Sequence, residues 1–249
     1  MDTSIILFII VGFIAQLIDG CLGMAYGVSS NSFLLSLGVP PAAASTSVHT
    51  AEVFTTAVSG ISHWKFGNLD KKLIKKLIIP GVLGGILGAY VLSNLPGGKL
   101  KPFIAIYLLV MGVRIIIRAF HKSNLIVAEF SKWKMAVLGL VGGLFDAMGG
   151  GGWGPIVTST LVSSGNHPRK TIGSVNFSEF FVTLAEVATF IAVIGLVNWQ
   201  VILGLAIGGV LAAPLGAFLT KKVPIKPLMI LVGGLIILTS IRTIYLAWF

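Results

Sequence analysis

The hydrophobic pattern along this chain consists of long apolar runs separated by short polar or proline- and glycine-rich segments. A helix needs about 20 apolar residues in succession to cross a membrane. Uninterrupted runs of this kind predict six spanning helices, over residues 41–63, 77–95, 102–120, 171–194, 200–220 and 227–248. The pattern therefore predicts an all-α polytopic membrane protein.

Two further apolar stretches, residues 4–37 and 135–164, are interrupted in the middle. The first break runs from Asp19 to Gly27, and the second runs from Asp146 to Gly154. Each stretch is too long for one spanning helix and rather short for two, and glycine lets the backbone turn or unwind. We predict that each forms a hairpin of two short helices, with spanning and re-entrant hairpins both open.

The order of elements occurs twice, which indicates an internal duplication. Segments 45–56 and 172–183 lie 127 residues apart and share serine, valine, glutamate, phenylalanine and threonine at matching positions. Residues 207–218 likewise match residues 79–90. Each repeat thus holds one interrupted hairpin and three spanning helices. We predict a single transmembrane domain over residues 1–249, composed of repeat one (1–122), a basic cytoplasmic linker (121–134) and repeat two (130–249).

Composition supports the membrane assignment and excludes a soluble domain. The chain is 55% hydrophobic and only 10% charged, whereas a soluble domain has roughly 25% charged residues. A net charge of +10 would suggest nucleic acid in a soluble protein, but these basic residues lie mainly between apolar runs, so no nucleic-acid partner is predicted. A single cysteine, Cys21, excludes an internal disulfide and a zinc cluster made of cysteines. No cofactor and no metal site are predicted.

Loop charge predicts that the two repeats have opposite orientations. The loop after the first motif helix carries several lysines, whereas its counterpart, residues 195–199, is uncharged. Conversely, Arg169 and Lys170 precede the second motif helix, and the loop before the first motif helix is uncharged. Because basic loops stay in the cytoplasm, equivalent loops lie on opposite sides, as in inverted-repeat transporters. Both termini are then predicted to lie outside.

Polar side chains recur at helical spacing within the two motif helices and form a stripe on one face of each helix. The members of the two stripes are Ser45, His49, Glu52, Thr56, Ser59 and His63, and Asn176, Glu179, Thr183 and Glu186. An acid facing lipid costs about 2.5–3.5 kcal/mol at the membrane centre, so the stripes must face the protein interior. They either join the two halves by hydrogen bonds or form a central transport site. In the second case Glu52 and Glu179 are the predicted proton carriers.

The glycine-rich breaks are the second candidate site, because exposed backbone N–H groups at a helix break attract anions. Paired breaks at matching places in two repeats point to a transporter site. The predicted substrate-binding residues are Gly23, Gly27, Ser47, His49, Gly150, Gly154, Ser174 and Asn176. Alternatively, the glycines only permit a turn or close packing. Asp19 and Asp146 either bind a proton or cation, or cap the following helix.

Several motifs resemble those of the sulfite exporter TauE/SafE family. They are the glycine-rich break, the run Pro-Pro-Ala-Ala-Ala-Ser-Thr-Ser at residues 40–47, and His-Trp-Lys-Phe-Gly-Asn-Leu-Asp at residues 63–70. A weaker second copy comprises Gly173, Ser174 and residues 195–199. The resemblance covers nearly the whole chain. It implies an inner-membrane carrier for sulfur-containing anions such as sulfite or organosulfonates.

The leading functional hypothesis is therefore a secondary exporter of a small sulfur-containing anion, working by alternating access and coupled to protons or to the membrane potential. No ATP-binding motif and no Ser/His/Asp arrangement is evident, so neither a primary pump nor an enzyme is predicted. The alternative is a cation carrier or channel that uses the buried carboxyl groups as oxygen ligands. The expected partners are a small anion and the lipid bilayer, with monomer and homodimer both open.

Overall fold

The computed structural model describes residues 3–120, 130–220 and 225–248, and its regular elements are all helical within those ranges. The helices are α1 (Thr3–Leu22), α2 (Tyr26–Ser36), α3 (Pro41–Lys65), α4 (Lys71–Asn94), α5 (Gly97–Phe120), α6 (Lys132–Gly149), a π-helical turn (Gly154–Thr158), α7 (Ser159–Ser163), α8 (Pro168–Ile194), α9 (Trp199–Leu219) and α10 (Ile225–Trp248). Six of these described helices, α1, α4, α5, α8, α9 and α10, are long and apolar enough to cross a membrane. This set differs from the six predicted spans by one member. It includes α1, which was predicted as part of a hairpin, and it lacks α3, whose serine, threonine and histidine side chains lower the hydropathy of the span predicted over residues 41–63. The all-α polytopic fold predicted from the sequence is confirmed.

Most predicted spans agree with the structure to within a few residues, but α4 begins at Lys71 instead of residue 77. The carboxylate of Asp70 accepts hydrogen bonds from the backbone N–H groups of Lys72 and Leu73, at 2.8 and 3.3 Å. An acidic N-cap of this kind satisfies amide groups that have no partner inside the helix. Low hydropathy had suggested that the basic segment is a loop, but it forms the first turns of α4.

The interrupted hairpins also differ from the prediction, because their first members are not short. Helix α1 has 20 residues and α6 has 18, which at 1.5 Å per residue is close to the thickness of a hydrocarbon core. The non-helical breaks are correspondingly short: the first lies between Leu22 and Tyr26, and the second lies between Gly149 and Gly154. The return segments are the short ones, namely α2 with 11 residues and the π turn followed by α7.

Helices of the two repeats pack against one another reciprocally. Helix α1 packs on α9, and its counterpart α6 packs on α4, the counterpart of α9. A Cβ atom on Gly20 would lie 2.8 Å from the Cα of Gly216, and one on Gly88 would lie 3.0 Å from the Cβ of Ala147. Gly20 and Ala147 occupy equivalent positions in the two repeats, as do Gly216 and Gly88. Small residues thus allow the same close helix crossing twice.

Two pairs of equivalent helices run antiparallel to each other. In the pair α3 and α8, Ser59 contacts Asn176 and the earlier His49 contacts the later Glu186. In the pair α5 and α10, a Cβ atom on Gly112 would lie 3.0 Å from the side chain of the later Ile237, and one on Gly233 would lie 2.5 Å from the side chain of Ile116. Antiparallel packing of equivalent helices is what the inverted-repeat hypothesis requires. The inverted topology of the repeats and the orientation of the chain in a membrane stay predictions.

The basic loops predicted to share one side of the membrane lie together at one end of the protein. Arg169 donates hydrogen bonds to the backbone oxygen of Phe66, at 2.7 Å, and to the side chain of Asn68. Lys170 donates to the backbone oxygen of Leu69 at 3.0 Å. Of the basic linker predicted over residues 121–134, residues 121–129 lie outside the described part of the chain.

Candidate functional site

The two glycine-rich breaks have the same backbone turn and cross each other inside the protein. Gly23 and Gly150, which are equivalent in the repeats, have φ angles of 65° and 68° in the left-handed region that favours glycine. A Cβ atom on Gly27 would lie 2.7 Å from the backbone oxygen of Gly150, and one on Gly154 would lie 2.6 Å from the oxygen of Gly23. All four predicted glycines are therefore brought together, with backbone directly against backbone.

Asp19 and Asp146 each hold the break that follows them. Oδ1 of Asp146 accepts hydrogen bonds from the backbone N–H groups of Gly152 and Trp153, at 2.6 and 2.9 Å. Asp19 is hydrogen-bonded in the same way by the backbone of Tyr26, the residue equivalent to Trp153. The Asp19 contact is with the first residue of α2, as a capping role requires, whereas Asp146 binds backbone amides of the break itself, before the π-helical turn begins. This binding uses only one oxygen of Asp146, because Oδ2 is buried without a hydrogen-bond partner among the described residues.

A cluster of ionisable side chains forms where α3 and α8 cross beside the second break. Nε2 of His49 lies 3.0 Å from Oε2 of Glu186, 3.6 Å from Oδ2 of Asp146 and 3.9 Å from Oε2 of Glu52. Each of these four side chains is at most 3% exposed. Nδ1 of His49 lies 2.8 Å from the backbone oxygen of Ser45. We call His49, Asp146 and Glu186 the histidine half-site.

The pseudo-equivalent positions in the other repeat form a similar cluster with different chemistry. Asn176 corresponds to His49, Ser59 to Glu186 and Asp19 to Asp146. The hydroxyl of Ser59 donates to Oδ1 of Asn176 at 2.7 Å, and the Asn176 side chain is hydrogen-bonded to Asp19. We call these three residues the asparagine half-site. The contacts match those of the histidine half-site, but an amide and a hydroxyl replace the imidazole and one carboxyl.

Glu52 and Glu179 lie near the middle of α3 and α8 and face the interior. Their exposed fractions are 2% and 4%, so neither carboxyl group faces lipid. Thr56 and Thr183 follow each acid by one helical turn and donate to its backbone oxygen, at 2.6 and 2.9 Å. These threonines therefore satisfy their own hydroxyls within the helix. Of these side chains, only the two carboxyl groups can therefore bind or release a proton or contact a substrate.

Ser47 and Ser174 lie away from the ionisable cluster. Ser47 donates to the backbone oxygen of Ala43 at 2.7 Å and is 3.5 Å from the side-chain nitrogen of Asn198. The Ser174 hydroxyl accepts a hydrogen bond from the backbone N–H of Asp70 at 2.7 Å. Asp70 and Asn198 precede equivalent helices, α4 and α9. The structure thus engages each predicted serine with the loop of the opposite repeat.

Sequence analysis gave no role to Arg114 and Arg118, which lie within the α5 span. Arg118 donates to the hydroxyl of Ser159 at 2.7 Å and is 3.9 Å from the sulfur of Met24. Arg114 donates to the hydroxyl of Thr160 at 3.0 Å. Positive charge is therefore placed next to both hairpins. Two arginines four residues apart inside an apolar run could have identified this site from the sequence, because charged residues are costly within a membrane span and often mark substrate pathways.

Glu186 is the second residue that the sequence analysis left without a role. It was recognised as a member of the polar stripe on α8, and its exposed fraction is 0%. Glu186 and His49 lie 137 positions apart in the sequence, and they meet only because the two helices that carry them cross. No local signal identifies that contact.

Comparison with known proteins gives consistent matches over almost the entire chain. The family described as "Sulfite exporter TauE/SafE" matches residues 8–243. "Probable membrane transporter protein YtnM" of Bacillus subtilis (strain 168) is 45% identical over 255 residues, covering 98% of this chain and 84% of that protein. "Probable membrane transporter protein YjnA" of the same organism is 22% identical, covering 98% of this chain and all of that protein. No solved structure matches the chain.

Proposed function

The chain belongs to the sulfite exporter TauE/SafE family of membrane transporters, and from this premise we propose that it exports a small sulfur-containing anion such as sulfite or an organosulfonate. The proposed location is the inner membrane, with both termini outside. The proposed mechanism is alternating access by two inverted repeats. The family and the similar protein carry transporter names and not enzyme names, which agrees with the absence of a predicted catalytic arrangement.

The observation that carries the proposal is the meeting of the two glycine breaks next to an arginine. Backbone N–H groups at helix breaks and a guanidinium are both good partners for an oxyanion. The proposed anion site comprises the breaks at Gly23, Gly27, Gly150 and Gly154, with His49 and Asn176 from the crossing helices. Arg118 would first bind the anion and then pass it to the breaks.

The position of the arginines supports export over import. Gly23 precedes Met24, the residue that Arg118 contacts, and a Cβ atom on Gly23 would lie 3.1 Å from the side chain of Ile172. Ile172 lies in the first turns of α8, close in sequence to Arg169 at the start of the same helix, and Arg169 contacts the loop that follows α3. Basic loops stay in the cytoplasm. An anion would thus meet positive charge on the cytoplasmic side, where its local concentration would be raised.

Charge balance supports proton coupling. Among the described residues, five acidic side chains are buried in the interior, namely Asp19, Glu52, Asp146, Glu179 and Glu186. If all five were ionised, the negative charge would repel an entering anion and would be costly to hold away from water. Protons on Glu52 and Glu179 would reduce that repulsion when the anion binds. Release of the anion and of the protons would then be linked.

Flux measurements in proteoliposomes test both parts of the proposal. Radiolabelled sulfite or an organosulfonate would be followed with and without an imposed pH gradient. In Arg118→Gln the proposed hydrogen bonds between the guanidinium and the anion are lost. The KM for the anion should then rise about tenfold or more, since a charged hydrogen bond contributes about 1.5–3 kcal/mol. Glu52→Gln combined with Glu179→Gln should abolish the dependence of flux on the pH gradient.

The matched control is Asp70→Asn, which changes an acid outside the interior and retains an N-cap oxygen. Its flux and pH dependence should equal those of the unmodified protein. Proton-coupled flux that survives the double glutamine replacement would refute the coupling role. No flux of either anion would refute the substrate class.

A cation carrier remains the second candidate, because the histidine half-site gathers an imidazole and two carboxyl groups. The same liposomes distinguish the two functions. A cation carrier would move a labelled cation without any added sulfur-containing anion, whereas the proposed exporter would require the anion.

A further inference from the structure

We propose that the histidine half-site binds one divalent transition-metal ion per chain, of the class represented by Zn²⁺. Its three residues, His49, Asp146 and Glu186, come from α3, α6 and α8, and each offers one ligand atom within 4.8 Å of the other two. One imidazole nitrogen with carboxylate oxygens suits borderline ions of the first transition row. Calcium and magnesium prefer oxygen ligands alone.

The spacing of the ligand atoms fits a bound ion. Bonds of about 2.0–2.1 Å in a tetrahedral site place neighbouring ligand atoms roughly 3.3 Å apart. Nε2 of His49 lies 3.0 Å from Glu186 and 3.6 Å from Asp146, a few tenths of an ångström on either side of the ideal. The two carboxylate oxygens lie within 4.8 Å of each other. Glu52, with an oxygen 3.9 Å from the same nitrogen, stands beside the remaining position.

Two of the ligands are already oriented by surrounding groups. The backbone oxygen of Ser45 can only accept a hydrogen bond, so Nδ1 of a neutral His49 carries the proton and Nε2 presents its lone pair. Asp146 uses Oδ1 for the backbone N–H groups of Gly152 and Trp153, which leaves Oδ2 directed at the cluster. Histidine ligands in metal sites are held in this way by a partner on the other ring nitrogen.

The atoms that would bind the ion have no hydrogen bonds of their own. Nε2 of His49, Oδ2 of Asp146 and both oxygens of Glu186 are buried and lack a hydrogen-bond partner among the described residues. Buried polar atoms normally have such partners. A divalent ion would bind them all at once. It would also balance two ionised carboxyl groups beside a neutral imidazole, which gives zero net charge in the membrane interior.

The other repeat supplies an internal comparison. In the asparagine half-site, Ser59 hydrogen-bonds to Asn176 at 2.7 Å, so the two side chains satisfy each other. An amide and a hydroxyl are also weak ligands for a transition metal. The expected stoichiometry is therefore one ion per chain, although the fold is duplicated.

Binding of Zn²⁺ alone to the purified, metal-stripped full chain in detergent tests the proposal. Titration calorimetry and elemental analysis after dialysis should give one ion per chain. His49→Gln and Glu186→Gln should each weaken binding at least tenfold. The matched control is His63→Gln, which changes a second buried histidine on α3. This control should keep the unmodified affinity.

A thermal melt provides a second measurement for variants that fold poorly. Zn²⁺ at a hundredfold excess over its Kd should raise the Tm of the unmodified protein by roughly 5–11 °C. The same Zn²⁺ concentration should raise the Tm of folded Glu186→Gln by at most about half as much. Absence of a bound ion, or an affinity in both ligand variants equal to that of the unmodified protein, would overturn the proposal. Because no anion flux is measured, either outcome is separate from the proposed export function.

Discussion

The contact between His49 and Glu186 can be tested by converting it into the contact that already exists in the other repeat. Glu186→Ser alone removes one member of a pair whose atoms are 3.0 Å apart and whose side chains are 0% exposed. The double change His49→Asn with Glu186→Ser installs the amide and hydroxyl of the asparagine half-site, which make a 2.7 Å hydrogen bond in the same helix crossing. The double variant should therefore be more stable than the single variant.

The size of the difference follows from burial. Removing one member of a buried polar pair costs about 1–3 kcal/mol, because the remaining group is left without a partner. One kcal/mol corresponds to roughly 2–4 °C in Tm for a chain of this size. Glu186→Ser should thus lower the Tm by about 2–12 °C. The double variant should recover most of this decrease, since both new side chains can satisfy each other.

The assay is a thermal melt of metal-free protein in detergent, followed by the fluorescence of its five tryptophans. His49→Asn alone completes the cycle and gives the coupling energy. Ser59→Ala is the comparison in the other repeat, where a neutral hydrogen bond is lost and a smaller decrease is expected. If the two single losses simply add in the double variant, the half-sites are not interchangeable and the proposed equivalence is incorrect.

Two further predictions concern the scaffold that positions the site. Gly208→Ala should lower the Tm, because the new Cβ would lie 2.7 Å from the backbone nitrogen of Phe13 in the α1–α9 crossing. Gly234→Ala is the control, since its Cβ would meet open space, and its Tm should be unchanged or higher. Equal Tm values for the two variants would contradict the close crossing. Asp70→Ala should lower the stability by about 0.5–2 kcal/mol through loss of the α4 N-cap. Asp70→Asn keeps a capping oxygen and should have most of the original Tm, so an asparagine variant that melts as low as the alanine variant would exclude capping.

The sequence by itself determined the elements and their duplication. Apolar runs, proline and glycine positions and helical polar spacing act through neighbouring residues, so most helices, the two breaks and the burial of Glu52 and Glu179 could be predicted. The length of α1 could not, because the sequence does not show where along the interrupted stretch the break lies. Loop charge likewise brought Arg169 and the basic segment near Phe66 to one end. The start of α4 was misplaced, because an N-cap at Asp70 outweighs the low hydropathy of the lysines that follow.

Only the tertiary structure decided which polar side chains meet. Ser47, Glu186 and Arg118 each occupy suggestive positions in the sequence, but their partners depend on where long helices cross and at what depth. The crossing of α3 with α8 joins His49 to Glu186, and the docking of the second hairpin adds Asp146. The same geometry turns Ser47 toward a loop. Because these contacts join segments separated by most of the chain, packing between helices determines the site, and local pattern determines the helices.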